Sequence, residues 1–351
     1  MDKQKKIYFE TYGCTSNKSD SEIMAGIAQK AGAGVSDNIK NADMIVVNTC
    51  IVKQKTENKI THRLEKLIEK YPDKRIIVAG CMPKSASSTR IPKGCETLDS
   101  IDDITGILNK IHPSTAGEFI QFKDADKVSL PALRRNSATD VIQISTGCMS
   151  YCTFCGTKKA RGNTRSSSPD VIAERIVNAF LDNVKQFWLT SQDCGCYGYD
   201  LKPRTNLASL ISQITGWLRN QRVCYEKNKT NDFYLPLIRV GMMNPTHLIR
   251  KSDAAASESH RRFLYEDLIE AYKNPHVYKF LHIPVQSGSD KILADMKRGH
   301  TADDFVKIVD AFRREIPEIT IWTDIITGFP GETESDFEDT IFECFDFIKN
   351  L

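Results

Sequence analysis

Short apolar runs alternate with amphipathic segments along the N-terminal part of the chain, and this alternation constrains the fold more than any other feature. Strand-like runs occupy residues 6–12, 44–49 and 75–80. Helical patterns cover residues 17–31, with Ser19 or Asp20 as the expected N-cap, and residues 56–70. Strands joined through helices pair in parallel, because each crossover returns the chain to the same end of the sheet. The pattern over residues 1–112 therefore predicts an α/β domain with a flavodoxin-like or Rossmann-like parallel sheet.

A second alternation of strands and helices begins near residue 141 and continues to the end of the chain. Its predicted strands are residues 141–146, 186–191, 237–242, 279–285 and 320–326. Its predicted helices are residues 169–181, 207–218, 263–271 and 302–314 and a last helix from residue 335. Five or six such units predict a partial (β/α)6 barrel over residues 141–351. The polar, proline-punctuated residues 113–140 are predicted to link the two domains.

The composition is that of an ordinary globular protein, with 40% hydrophobic and 26% charged residues among 351 and a net charge of +3. We expect a cytoplasmic protein, because no apolar run approaches the length of a membrane span and the N-terminus lacks a signal-peptide pattern. Eleven cysteines are present. In a reducing compartment, clustered cysteines favour metal binding or catalysis over disulfides, and the odd number excludes a fully paired framework.

Cys148, Cys152 and Cys155 form a C-x3-C-x2-C motif between a predicted strand and helix. Three thiolates at this spacing are able to hold three irons of a [4Fe–4S] cluster and leave the fourth iron open. The alternative is a zinc site with a distant fourth ligand. Zinc sites usually pair two C-x2-C units or add an H-x3–5-H pair, and neither follows here.

Three other cysteines each follow a predicted strand of the N-terminal sheet. Cys14 comes after residues 6–12, Cys50 after the second strand and Cys81 after the third. The carboxyl ends of parallel strands share one edge, where ligands collect in open α/β sheets. We therefore expect these cysteines to converge on a second three-thiolate site. The alternative is that they are small buried residues, as cysteine often is.

The sequence around both cysteine sets resembles a known family. The C-x3-C-x2-C motif, with Phe154 before its last cysteine, is similar to the signature of the radical S-adenosylmethionine (SAM) superfamily. The segments TYGCTSNKSDSE, NTCIV, VAGCMPK, STGCMSYCTFCGTKKARG, HIPVQSGSDKIL and TDIITGFPGETESDF resemble the methylthiotransferases of that superfamily. The resemblance implies two [4Fe–4S] clusters on the six cysteines, SAM as methyl and radical source, an external electron donor and a sulfur source.

Within this family the chain looks most like the archaeal and eukaryotic tRNA branch. That branch adds a methylthio group at C2 of N6-threonylcarbamoyladenosine 37 in the tRNA anticodon loop. Isopentenyladenosine 37 in tRNA and a ribosomal-protein aspartate are the alternative substrates. The basic residues Lys158, Lys159, Arg161 and Arg165 suit contacts with RNA phosphates, although a solvated basic face is equally compatible with them. The family's usual RNA-binding β-barrel has no counterpart before Leu351. Either the chain is truncated, in which case we expect weaker tRNA binding, or RNA capture relies on a partner or on the remaining surface.

Polar residues at the ends of the predicted barrel strands are the candidates for a SAM pocket. With the aromatic residue of the motif, the predicted set is Phe154, Gln192, Asp193, Gln286, Ser287 and Asp324. Each polar member is also compatible with capping a helix or satisfying backbone groups. Cys194 and Cys196 follow Asp193 in the sequence. They are either additional functional thiols or small residues without a role in the site.

Overall fold

The computed structural model describes residues 4–98, 100, 126–227, 236–249 and 263–349. The chain divides into two compact units. The first unit comprises Met1–Gln143 and Cys155–Gly162, and the second comprises Ile144–Phe154 and Asn163–Leu351. The predicted domain boundaries stay predictions, and residues 113–125 of the predicted linker lie outside the described part of the chain.

The first unit contains a parallel sheet, as predicted. Its strands are β1 (Lys6–Thr11), β2 (Gly34–Val35), β3 (Met44–Thr49), β4 (Arg75–Gly80) and β5 (Cys95–Thr97). They lie side by side in the order β2-β1-β3-β4-β5, and every adjacent pair is parallel. The unit also contains α1 (Thr15–Lys30), α2 (Gln54–Lys70), β6 (Thr139–Gln143) and α3 (Gly156–Arg161). The edge strands β2 and β5 were not predicted, because two or three residues carry no readable alternation.

The sheet of the first unit is covered on both faces by apolar side chains. Successive residues of β3 point to opposite faces, so Val46 packs into the core that includes α1, while Ile45 and Val47 pack into the core that includes α2. The helix predicted over residues 56–70 is present as α2, and its buried residues, Ile60, Leu64 and Leu67, form a stripe at i, i+4 and i+7, with Ile68 partly buried beside them. All six residues of β3 are buried, and the first four, Met44–Val47, are apolar, as expected of a strand covered on both faces.

Helix α1 begins two residues earlier than predicted. Cys14 occupies its N-cap without a capping hydrogen bond from its side chain, so the expected cap at Ser19 or Asp20 is wrong. Both residues are buried inside the helix instead. Asp20 is able to lie there because its charged partners, Lys127 and Arg161, come from distant parts of the chain.

The second unit carries strands that are mostly parallel and are followed by helices. Its strands are β7 (Ser145–Thr146), β8 (Arg165–Ser166), β9 (Gln186–Thr190), β10 (Leu237–Val240), β11 (Phe280–His282) and β12 (Thr320–Trp322). β9 pairs with β10 and β11 with β12 in parallel, whereas β7 and β8 form a short antiparallel pair. The backbone N–H of Met243, just after β10, donates to the carbonyl of His282 in β11 at 3.0 Å. The parallel strands β9 to β12 thus follow one another in space as in sequence.

Helices follow the strands of the second unit, five of them at the predicted places. The helices are α4 (Pro169–Leu181), α5 (Leu207–Lys227), α6 (Pro245–Leu248), α7 (Leu264–Tyr272), α8 (Asp290–Asp295), α9 (Ala302–Glu315) and α10 (Glu334–Lys349). Of these, α6 and α8 were not predicted. Residues 141–146, predicted as one strand, are divided between β6 and β7. None of the helices within the described residues is long and apolar enough to cross a membrane.

Two helical glycines lead to opposite predictions about stability. A Cβ on Gly26 of α1 would lie 2.4 Å from the carbonyl oxygen of Pro131, whereas a Cβ on Gly216 of α5 would meet nothing within 4 Å. Gly26→Ala should therefore destabilise the protein by about 1–3 kcal/mol through overpacking. Gly216→Ala should stabilise it by up to about 1 kcal/mol through helix propensity. Urea unfolding of both variants checks this, and a stabilising Gly26→Ala would contradict the close approach.

Candidate metal centres

The structure brings Cys14, Cys50 and Cys81 together; we call this set the dispersed triad. β1, β3 and β4 are neighbours in the sheet, and each cysteine follows one of them at its carboxyl end. The backbone N–H of Cys81 donates to the carbonyl of Thr49 at 3.0 Å. Gly13 has a φ of +110°, and a Cβ placed on it would lie 2.7 Å from the Cβ of Cys50. The chain before Cys14 therefore approaches Cys50 as closely as a glycine allows.

A network of buried polar groups fixes the strand ends beneath the dispersed triad. The Asn17 side chain donates to Asn48 Oδ1 at 2.9 Å and to the carbonyl of Thr49 at 3.0 Å. Asn48 donates in turn to the carbonyl of Asn17 and to the hydroxyl of Ser21. The thiol of Cys14 lies 3.2 Å from Asn17 Oδ1 and donates to it. Because these groups satisfy one another, the network holds β1, β3 and α1 in one arrangement.

Crowding of the three thiols disfavours the thiolate form of Cys50 when no cation is bound. Burial raises the pKa of the Cys50 thiol, and the neighbouring Cys14 and Cys81 raise it further. Thiolates that oppose one another's ionisation are stabilised when a metal centre shares their charge. The donor set therefore fits an iron–sulfur cluster held by three sulfurs.

Arg161 of α3 contacts the dispersed triad from the side. Its Nε donates to Cys81 Sγ at 3.4 Å, and its Nη1 forms an ion pair with Asp20 Oδ2 at 2.6 Å. The other oxygen of Asp20 accepts from Lys127 at 3.0 Å and from Gln143 at 2.7 Å. With its side chain only 9% exposed, Arg161 is not available to RNA, so its predicted phosphate contact is wrong.

The charges around Asp20 determine its protonation state. Burial alone would raise the pKa of Asp20, but Arg161 and Lys127 outweigh burial and hold this pKa well below its ordinary value. Burial likewise disfavours the cation of Arg161, but Asp20 and Cys81 outweigh it and raise the pKa of Arg161. Both groups are thus charged at neutral pH, and a cationic N–H lies against the sulfur of Cys81.

Cys148, Cys152 and Cys155 form what we call the motif triad. In the second unit, Cys148 Sγ accepts from the backbone N–H of Ser150 at 3.3 Å, and Cys152 Sγ accepts from Arg298 Nη1 at 3.3 Å. Cys155 occupies the N-cap of α3. All three are partly exposed. Their spacing within eight residues and the N–H donors at two of the sulfurs fit the three-thiolate cluster predicted from the motif.

A buried cluster of potential metal ligands lies beside Cys148. Side-chain donor atoms of Asp193, Cys196 and His247 all lie within 4.8 Å of one another. Asp193 Oδ2 lies 3.3 Å from His247 Nε2, and Cys148 donates to the same oxygen at 3.9 Å. The Cys196 thiol donates to Cys148, which lowers the pKa of Cys148 and raises that of Cys196. The interpretation of Cys196 as incidental is therefore incomplete, since Cys196 contacts a predicted ligand.

Sequence spacing gave no indication of His247 or Arg298 at this site. His247 is 51 residues after Cys196, and Arg298 is 146 residues after Cys152. Neither residue belongs to a ligand-like pattern, so only the assembled strands reveal their positions. For Arg161 the sequence did supply a signal, a cationic side chain next to the motif, but its local context favoured an exposed role.

Gln192 and Asp193, two of the predicted SAM-binding residues, lie next to Cys148. Gln192 Oε1 accepts from the backbone N–H of Gly147 at 2.6 Å, just before Cys148. Gln286 has a φ of +82°, and its backbone N–H donates to the carbonyl of Asp324 at 3.0 Å.

The remaining predicted SAM-binding residues differ in exposure. Phe154 is partly open at 38% exposure. Asp324 Oδ2 lies 2.8 Å from His282 Nε2. Ser287 is buried, and its hydroxyl is hydrogen-bonded to that of Thr340 in α10 at 3.0 Å. The geometry therefore favours Phe154 and Asp324 over Ser287 as groups open to a ligand.

Comparison with known proteins identifies the family. A family model described as the radical SAM superfamily matches residues 142–344, and one described as uncharacterized protein family UPF0004 matches residues 6–101. A Pyrococcus horikoshii protein named probable threonylcarbamoyladenosine tRNA methylthiotransferase is 36% identical over 96% of this chain and 73% of its own length. The chain belongs to the radical SAM methylthiotransferases. The predicted family is thereby confirmed, and membership implies SAM and a [4Fe–4S] cluster, which does not favour the zinc alternative.

Another methylthiotransferase agrees with this assignment, and solved radical SAM enzymes share the fold. The threonylcarbamoyladenosine tRNA methylthiotransferase of Homo sapiens is 34% identical over 96% of this chain, which spans 54% of that protein. The cobalamin-dependent radical enzyme OxsB has a TM-score of 0.58 at 12% identity, covering 97% of this chain and 52% of OxsB. The methyltransferase TsrM from Kitasatospora setae has a TM-score of 0.56 at 12% identity, covering 99% of this chain and 71% of TsrM. At such low identity these two structures support the fold alone.

The buried charge of Asp20 should contribute strongly to the stability of the first unit. Asp20→Asn keeps the size of the side chain but leaves Arg161 and Lys127 without their counter-charge, which should cost about 3–5 kcal/mol at pH 7. Urea unfolding measures this loss, and hydrogen exchange of α1 assigns it to the first unit. Glu65→Gln, which removes an exposed carboxylate 3.6 Å from His62, should change stability by less than about 1 kcal/mol.

The same variant should show a defined dependence on pH. Because the pKa of Asp20 is lowered in the folded protein, its stabilisation is present above the unfolded pKa of about 3.9 and is lost as pH falls below it. The difference between wild type and Asp20→Asn should therefore shrink below about pH 4. A difference that is constant from pH 7 to pH 3 would contradict the assigned charge.

Proposed function

We propose that this protein is a two-cluster tRNA methylthiotransferase that modifies C2 of N6-threonylcarbamoyladenosine 37. The observation that carries the proposal is the presence of two three-cysteine sets, one in the radical SAM motif and one dispersed over three strand ends. Relatives with this enzyme name, at 36% and 34% identity, support the choice of tRNA over a ribosomal protein. A single set would account for SAM cleavage but would leave sulfur insertion without a site.

The motif triad has the role of holding the cluster that binds SAM. Cys148, Cys152 and Cys155 would ligate three irons, which leaves one iron open to the amino and carboxylate groups of SAM. When bound there, the cluster supplies the electron that cleaves SAM reductively and yields a 5′-deoxyadenosyl radical. The chain's own contribution is to fix two of the sulfurs through the N–H groups of Ser150 and Arg298.

The residues around Cys148 would orient SAM. Asp193 Oδ1 accepts hydrogen bonds from the backbone N–H groups of Gly195 and Asn244, so the carboxylate is fixed beside Cys148 of the motif triad. Gln192 and the turn at Gln286 would contribute further polar groups, and Phe154 and Asp324 would face the ligand from exposed positions. Ser287 would contribute its backbone groups in this turn, because its hydroxyl is hydrogen-bonded to that of Thr340.

The dispersed triad would hold the second [4Fe–4S] cluster, which carries the sulfur to be inserted. Cys50 and Cys81 are buried while Cys14 is exposed, so this site has a closed side and an open side. An external sulfur source would reach the site from the exposed side, at Cys14. The buried network of Asn17 and Asn48 holds α1 against the end of β3 beside the triad.

The tRNA partner would be held in part by basic residues near the motif. Lys159 and Arg165 are exposed and Lys158 is partly exposed, so these three, unlike Arg161, remain suited to phosphate contacts. An anticodon-loop adenosine is already single-stranded, so no base pair has to be broken to present it to a radical. An external electron donor and a sulfur source complete the proposed set of partners.

Separate replacement of the two triads tests their division of labour. After anaerobic reconstitution the wild type should hold about eight irons, and each triple cysteine-to-alanine variant about four. The variant lacking Cys14, Cys50 and Cys81 should still produce 5′-deoxyadenosine but no methylthio product. The variant lacking the motif triad should produce neither. Iron analysis and product chromatography measure both, and methylthiolation without the dispersed triad would refute its role in sulfur transfer.

The substrate is tested by nucleoside mass spectrometry of tRNA. Cells that lack the gene should lose the methylthio form of threonylcarbamoyladenosine, and the wild-type gene should restore it. A gene with the motif triad replaced by alanine serves as the matched control and should not restore it. Unchanged tRNA in the deletion strain would contradict the tRNA assignment and favour a ribosomal-protein substrate.

A further inference from the structure

We infer that Arg161 and Arg298 tune the reduction potentials of the two proposed clusters, each by donating N–H groups to the sulfurs of one triad. The inference rests on the proposed two-cluster function and adds a pair of positioning residues to it. Each arginine and the cysteine that it contacts belong to the same unit of the chain. Neither arginine belongs to the cysteine motifs.

Arg298 lies against Cys152 in the turn that follows α8. Its Nη1 donates to Cys152 Sγ at 3.3 Å, and its Nη2 donates to the carbonyl of Pro284 at 2.7 Å. The residue is only 4% exposed. Its third donor, Nε, is buried and has no hydrogen-bond partner among the described residues. A buried cation thus presents one N–H to the sulfur of Cys152 and retains a second buried N–H without a partner among the described residues.

Arg161 has the same features at Cys81. Its Nε donates to Cys81 Sγ at 3.4 Å, Nη1 pairs with Asp20, and Nη2 is buried without a hydrogen-bond partner among the described residues. Asp20 is shared with Lys127, so two cations surround one carboxylate and the local charge is positive. In both places a buried guanidinium contacts one cysteine of a triad and has a spare N–H donor.

Buried N–H donors that are left unsatisfied are costly, so their repetition at both triads calls for an acceptor. A cluster would provide acceptors, since its inorganic sulfides and thiolate sulfurs all accept hydrogen bonds. Reduction adds negative charge to the cluster, and a nearby cation with N–H···S contacts stabilises the reduced form more than the oxidised form. Each arginine should therefore raise the potential of its cluster and make electron uptake easier.

Potentiometric titration followed by electron paramagnetic resonance tests this in the full-length chain. Two backgrounds isolate one cluster each: alanine at Cys14, Cys50 and Cys81, or alanine at the motif triad. In the first, Arg298→Met should lower the equilibrium constant for cluster reduction about tenfold, which is about 59 mV for one electron. In the second, Arg161→Met should do the same. Arg→Lys at either position should lower the equilibrium constant less than Arg→Met does, because lysine keeps the positive charge but lacks the planar fork of N–H donors.

Matched controls separate a local contact from a general loss of positive charge. Lys297→Asn and Lys159→Met each remove one exposed cation beside the respective arginine, and water screens such charges. Each should change the reduction equilibrium less than about threefold. Exchanging the variants between the backgrounds is a second control, because each arginine should affect only its own cluster.

Loss of Arg161 leaves Asp20 buried with only Lys127 as a charged partner, so a failure to fold needs its own control. The double variant Asp20→Asn/Arg161→Gln removes both charges and should show the same lowered potential at the dispersed triad. Unchanged potentials in the folded variants, or equal shifts from the lysine controls, would overturn the tuning role while leaving two clusters in place. A single-triad background without iron would instead refute the proposed clusters, and the tuning role with them.

Discussion

The buried carboxylate of Asp20 is the interaction on which the organisation of the first unit depends. It lies inside α1 and holds Lys127, Gln143 and Arg161, which are 107, 123 and 141 residues away in sequence. A charge that is buried away from water destabilises the fold unless close charged or hydrogen-bonding partners compensate for the lost hydration. The removal of one partner therefore destabilises the protein. The chain that returns from the second unit at Cys155–Gly162 is thereby fixed against α1 through Arg161.

This constraint links the fold to the chemistry of the dispersed triad. The parallel order of β1, β3 and β4 supplies the three thiols, but their crowding raises the pKa of Cys50 and opposes the thiolate form that a metal requires. Arg161 places a cationic N–H against the Sγ of Cys81, at the same edge of the sheet. Asp20 therefore acts indirectly on the cysteines, since it determines where the guanidinium of Arg161 lies.

Much of the fold could be predicted from the sequence, because periodicity is a local property. The α2 stripe at Ile60, Leu64 and Leu67 and the apolar run Met44–Val47 of β3 needed no tertiary information. The convergence of Cys14, Cys50 and Cys81 followed from one non-local rule, that parallel strands share their carboxyl edge. Where a residue's role depended on a partner far along the chain, local patterns gave the wrong result. Asp20 was predicted as a helix cap and Arg161 as a phosphate ligand for this reason.

The two triads differ in how their sulfurs are surrounded. Cys148 accepts a hydrogen bond from the thiol of Cys196 and lies beside the carboxylate of Asp193. The described surroundings of Cys81, by contrast, include the cation of Arg161. A carboxylate next to a cluster disfavours its reduced form, and a cation favours it. The cation of Arg298 at Cys152 opposes the effect of Asp193 within the same triad. We therefore expect the reduction potential of the cluster proposed at the motif triad to depend on the balance between Asp193 and Arg298. The reduction potential of the cluster proposed at the dispersed triad should depend on Arg161.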